Sequence, residues 1–294
     1  MNMTVAIKTY LNWKGATYPR AAYNYRIWLD RFEKEIHGKT LHEVDANDVA
    51  RFQIRLKDRF APRSVELAMV VLSNFFRFHR LNGEPCISPN LIQIPKARSQ
   101  SYAHITESDY SKLLSQTKTN EFHELQKNLT LRILWETGVR VSELCAINVA
   151  DLDLDAPGAM IRTKKNTTLR KVIWSEETEN ILEKFLKLRI QLVFTPSLFV
   201  GQCIGGRLTQ RITPRTIQRW IKTLCKAAGI DKPYSPHSFR HGWAHVRRDQ
   251  GVSLAFIQKG LGHQSPNSTF VYEQYADNEY LKTARKCLKK LSTC

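Results

Sequence analysis

The stretch SPHSFRHGWAHVRRDQG, residues 235–251, decides how this chain is read. Pro236 suits a first helical position, where its missing N–H is not needed. A helix opening there places His237 and Arg240 one turn apart on one face. Free amide groups and the helix dipole make such an N-terminus a good place to grip an anion. By itself the pair is equally consistent with an ordinary solvated basic helix, so the rest of the chain has to say whether an anion is met there.

Charge gives the first answer. The 294 residues hold 45 Lys and Arg against 27 Asp and Glu, a net charge of +18. Residues 1–100 carry a net +7 and residues 101–294 a net +11, so the excess is not a basic tail on a neutral body. Two cationic halves suit a protein that touches nucleic acid with both. No apolar run reaches bilayer length, and no basic amphipathic helix suggests a membrane surface. The N-terminus lacks the pattern of a secretory signal. Six cysteines, at 86, 145, 203, 225, 287 and 294, form no C-x-x-C pair, which argues against a zinc knuckle or redox motif. The expectation is a cytoplasmic, nucleoid-associated protein with free thiols.

Hydrophobic periodicity divides the chain. Tyr25, Trp28, Leu29 and Phe32 mark one helix face. Asn47 or Asp48 can cap a second helix carrying Val49, Phe52, Leu56 and Phe60. A third is expected from near Ser64, with Leu67, Val71, Phe75 and Phe78 inward and Arg77 and Arg80 outward. Prolines and small polar residues interrupt the pattern over 94–103, read as a linker between a helical domain (1–93) and a second domain (104–294). Thr106 can cap the next helix. Gly138 reads as a helix stop and Ser142–Glu143 as the start of another helix, which leaves Arg140 in a tight corner. GAMIRTKKNTTLRKVIW (158–174) reads as a β-hairpin. Ser175 opens an amphipathic helix. Pro214 opens one whose stripe of Arg215, Arg219, Lys222 and Lys226 could face a DNA groove.

TGVRVSEL (137–144), HSFRH (237–241), LGH (261–263) and a tyrosine at 272, nine residues past His263 and after a Ser-Thr pair, stand in one order. In this the chain resembles the tyrosine recombinase (λ-integrase-like) family, over both domains and most specifically in the second. The resemblance implies catalytic roles for Arg140, His237, Arg240, His263 and Tyr272. It points to Lys164 as the hairpin lysine, although Lys165 is adjacent and the turn lacks the family's usual glycines. Trp243 also departs from common family choices. Glu143 would orient Arg140 or serve as a plain cap. Tyr272 and Tyr275 are one helical turn apart, and the count from His263 selects Tyr272. Tyr275 is then read as packing and Tyr280 as a weaker reserve.

Elementary chemistry agrees with that constellation. Two arginines can bind non-bridging phosphate oxygens and stabilise transition-state charge. A tyrosine hydroxyl can attack phosphorus to form a covalent ester, while a lysine protonates the 5′-oxygen. Neither metal nor ATP is then required, and no cofactor is expected. The resemblance implies a mainly α fold with a small antiparallel sheet, clamped around duplex DNA. It also implies a homotetramer on paired core sites, strand exchange through a Holliday junction, and room for accessory DNA-bending proteins. The tail, residues 279–294, could dock on a neighbouring protomer or pack on its own domain. The short N-terminus suggests a core-site enzyme without an arm-binding domain. Three alternatives stay open. A metal-dependent nuclease could use His237, His241 and His245. A catalytically silent DNA-binding relative and a type IB topoisomerase are the others.

Overall fold

Eleven α-helices and one β-hairpin make up the architecture of the described residues. The computed structural model describes residues 1–97, 103–118, 120–153, 156–162, 169–193, 195–201, 208 and 210–262. The chain divides into two compact units between residues 100 and 101.

The first unit holds α1 (Met3–Thr17), α2 (Pro19–Glu35), α3 (Ala46–Arg59) and α4 (Pro62–Leu81). Prolines open α2 and α4 in the first turn, where no N–H is lost from the helix ladder. The core is largely aromatic. Phe32 meets Phe52 edge-on at 5.2 Å, and Phe75 meets Phe76 at 5.0 Å, arrangements that set ring edges against ring faces.

Two boundaries of this unit differ from the sequence expectation. The cap of α3 is Asp45, not Asn47 or Asp48. Asp48 is the third helical residue and returns its carboxylate to the Asp45 N–H at 3.0 Å, completing a capping box. Helix α4 starts at Pro62, and Leu67 is 43% exposed rather than buried. The buried stripe runs through Val65, Ala68, Met69, Leu72, Phe75 and Phe76, and Leu67 lies on the other side of it.

The second unit contains α5 (Glu107–Ser115), α6 (Phe122–Thr137), α7 (Val141–Ala146), β1 (Gly158–Arg162), β2 (Leu169–Ile173), α8 (Glu176–Leu192), α9 (Pro214–Ala227), α10 (Pro236–Asp249) and α11 (Leu254–Leu261). Thr106, Ser175, Thr213 and Ser253 cap four of these helices through their hydroxyls. The strands pair antiparallel, from Gly158 opposite Ile173 to Arg162 opposite Leu169. Leu129, Ile133, Leu144, Phe185, Phe199, Ile217 and Phe239 anchor one continuous core. A small satellite core of Trp243, Ala244, Ile257 and Leu261 joins α10 to α11, and the functional residues gather beside it. No helix among the described residues is long and apolar enough to cross a membrane.

Candidate active site

Helix α6 ends at Gly138, which adopts the left-handed conformation at φ 60° and caps the helix through its N–H to the Leu134 carbonyl. A Cβ there would stand 3.0 Å from Leu261 Cδ2 and 3.0 Å from the Trp243 ring. The corner thus needs glycine for its dihedral and for its close packing. The chain then turns through buried Val139 into Arg140, the N-cap of α7.

Glu143 lies buried one turn along α7 and fixes Arg140 twice. Its Oε2 accepts the Arg140 backbone N–H at 2.9 Å, and its Oε1 accepts Arg140 Nη1 at 2.8 Å. Glu143 therefore both caps the helix and orients the guanidinium. The Arg140 side chain stays 37% exposed.

Arg240, on the first turns of α10, is buried and reaches the same corner. Its Nη1 donates to the Gly138 carbonyl at 2.9 Å, and its Nη2 to the Leu261 carbonyl at 2.7 Å. The C-terminus of α11 carries partial negative charge, so it is a natural seat for this cation. The two predicted arginines, 100 positions apart in the chain, are thus brought to one corner.

His237 is exposed at the start of α10. Loss of hydration against the surrounding protein, then the Arg240 and Arg140 guanidiniums, hold its imidazole below the usual range. This favours the neutral imidazole, which has one ring nitrogen to donate and one to accept. Helix α11 ends at Gly262, left-handed at φ 64°. Lys164, His263 and Tyr272 lie outside the described residues.

Two residues with no sequence-assigned role belong to this assembly. Arg170, on β2, donates through Nη2 to Glu143 Oε2 at 2.8 Å and through Nη1 to the Leu261 carbonyl at 3.2 Å. Trp243 donates its indole N–H to the Glu136 carbonyl at 2.8 Å and packs beneath Gly138. Trp243 therefore staples the end of α6 to α10. Neither role could be read locally, because each partner is distant in sequence.

The basic stripe of α9 is real: Arg215, Arg219 and Lys222 are exposed opposite buried Ile217, Ile221 and Leu224. Arg77 and Arg80 are exposed on α4, and Arg80 also donates to the Cys86 carbonyl at 2.9 Å. Among the described residues no three His, Cys, Asp or Glu side chains form a group that could hold a metal ion.

The model of the phage integrase family matches residues 103–279, well over half of the chain. The chain belongs to the phage integrase family. This integrase is 28% identical over 256 residues to a tyrosine recombinase of Thermosipho africanus, covering 85% of this chain and 87% of that protein. It is 27% identical over 286 residues to the tyrosine recombinase XerA of Pyrococcus horikoshii, covering 97% and 93%. Its fold matches that of the λ integrase tetramer bound to a Holliday junction with a TM-score of 0.74 at 16% identity, over 90% of this chain and 78% of that one. The integrase is thus a tyrosine-type site-specific DNA recombinase.

Proposed function

We propose that this integrase cuts and rejoins duplex DNA at paired core sites through a 3′-phosphotyrosine formed by Tyr272. The observation that carries the reading is the convergence of Arg140 and Arg240 on the Gly138 corner, with His237 on the first turn of α10. There Arg140 and Arg240 bind the non-bridging oxygens of the scissile phosphate and stabilise the charge that builds during displacement. The Tyr272 hydroxyl passes its proton to a histidine of the site and attacks phosphorus, and the bond from phosphorus to the 5′-oxygen breaks. Lys164 supplies the proton that the leaving 5′-oxygen needs. His237 and His263 add hydrogen bonds to the phosphate oxygens. The phosphotyrosine keeps the bond energy, so a 5′-hydroxyl from the second duplex reseals the strand without ATP or metal. Arg77, Arg80, Arg215, Arg219 and Lys222 hold the DNA backbone.

The domains are taken as residues 1–93 and 104–294, joined by a linker. Four protomers act on two sites through a Holliday junction, a reading supported by the likeness in fold to the λ integrase tetramer on such a junction. Accessory DNA-bending proteins would assist at some sites.

The test is incubation with supercoiled DNA bearing the sequence that flanks the integrase gene, in excess chelator, stopped with denaturant. Peptide mass spectrometry should find a nucleotide remnant on Tyr272. The adduct should vanish in Tyr272→Phe and persist in Tyr275→Phe. An adduct on Tyr275 would overturn the site, and activity only when divalent metal is restored would overturn the mechanism.

A further inference from the structure

Arg170 holds together three elements that carry the site. Its guanidinium spans from Glu143 on α7 to the Leu261 carbonyl at the end of α11, while its backbone belongs to β2. The approach at α11 is close: a Cβ on Gly262 would stand 2.5 Å from Arg170 Nη1. The side chain is 14% exposed, and its buried Nε finds no acceptor among the described residues. Both of its Nη groups donate to protein oxygens, and Nη2 is paired with the Glu143 carboxylate.

Its effect on Arg140 follows from the division of the Glu143 carboxylate. Oε1 takes Arg140 Nη1, whereas Oε2 is shared by the Arg140 backbone N–H and Arg170 Nη2. A carboxylate buried beside a single arginine tends toward the two-pronged pairing in which both guanidinium edges are used. Arg170 and the Arg140 backbone N–H together occupy the second oxygen and block that pairing. Arg140 Nη2 is left facing the Gly262 carbonyl at 3.5 Å, too long for a strong bond. One edge of Arg140 therefore remains available to an incoming anion. The charge balance points the same way, since two guanidiniums, Arg140 and Arg170, share the one carboxylate of Glu143.

We infer that Arg170 is a positioning residue of the recombination reaction, which holds Glu143 and the end of α11 so that Arg140 presents a free guanidinium edge to the scissile phosphate. This rests on the assignment of Arg140 to that phosphate.

The test compares Arg170→Met, Arg170→Lys and Arg140→Met in the full chain, on the core-site duplex that yields the Tyr272 adduct. Each is measured on the ordinary phosphodiester and on a methylphosphonate, which replaces one negative oxygen by a neutral methyl and so reduces the need for Arg140. Single-turnover adduct formation by Arg170→Met should fall about 10–100-fold on the phosphodiester, the range seen when an outer partner of a reacting group is lost. The deficit should shrink several-fold on the methylphosphonate, in parallel with that of Arg140→Met, while DNA affinity stays close to that of the unsubstituted protein. Arg170→Lys can satisfy Glu143 but not Leu261 as well, so it should recover part of the rate. It also carries the same comparison if Arg170→Met fails to fold. An equal deficit on both substrates would overturn the inference, as would normal cleavage by Arg170→Met beside an inactive Arg140→Met. Normal cleavage by Arg140→Met would instead remove the assignment beneath it.

Discussion

Arg240 Nη1 donates to the carbonyl of Gly138 at 2.9 Å, two residues before Arg140 in the chain. One guanidinium thereby fixes the corner that presents the other. Arg240→Lys keeps the charge but cannot span Gly138 and Leu261, because an ammonium lacks the planar fork. Cleavage should drop about 10²–10³-fold, the scale of losing one transition-state donor, with DNA binding retained. Single-turnover cleavage beside a gel-shift titration checks this.

Gly138→Ala and Gly251→Ala separate dihedral cost from packing. Both glycines have positive φ, at 60° and 75°, but a Cβ on Gly251 meets nothing within 4 Å. Gly251→Ala should cost about 1–2 kcal/mol for the left-handed conformation alone. Gly138→Ala should cost more, because Leu261 and Trp243 must move, and it should also slow cleavage by displacing Arg140. Urea unfolding of the two variants gives the comparison.

Trp243→Phe keeps a ring under Gly138 but removes the donor to the Glu136 carbonyl. The loss should be about 1 kcal/mol, the net worth of one hydrogen bond to a part-buried acceptor. Trp243→Ala should be worse, since the satellite core of α10 and α11 would lose its largest member. Thermal unfolding of both variants gives the order.

His245 stacks on His104 at 4.1 Å. Burial first, then His104 and Arg248, lower its pKa from 6.5 to about 4, against a smaller opposing pull from Asp249. As pH falls from 6.5 toward 4, the unfolded chain takes up this proton before the folded one does. The stabilisation is complete above pH 6.5 and is lost as pH falls toward 4. In His245→Gln the drop in urea midpoint between pH 7 and pH 4.5 should be smaller than in the unsubstituted protein. An identical drop would remove His245 from the account.

Arg215→Ala and Arg219→Ala should each weaken binding to specific and random duplexes alike. Each should also reduce the slope of log affinity against log salt by about 1, as expected for one lost phosphate contact. Fluorescence anisotropy over a salt series measures both. Loss confined to the specific site would instead place these arginines on base edges.

Much of the architecture was legible because it is locally encoded. The stop at Gly138, the cap at Thr106, the proline-led starts of α9 and α10 and the amphipathic stripe of α9 follow from residues within a turn of one another. The cap of α3 was misplaced because Asp45, Asn47 and Asp48 all suit that position, and only the reciprocal bonds of the capping box choose among them.

The sequence by itself determined the family, the order of motifs and the residue types able to handle a phosphodiester, since these are patterns along the chain. Tertiary structure alone decided that Arg240 seats on the carbonyls of Gly138 and Leu261, that Trp243 bonds to Glu136, and that Arg170 shares Glu143 with Arg140. Hydrogen bonds between residues so far apart in the chain leave no periodicity to read. They exist only once the helices and the hairpin have packed, when most buried donors find an acceptor.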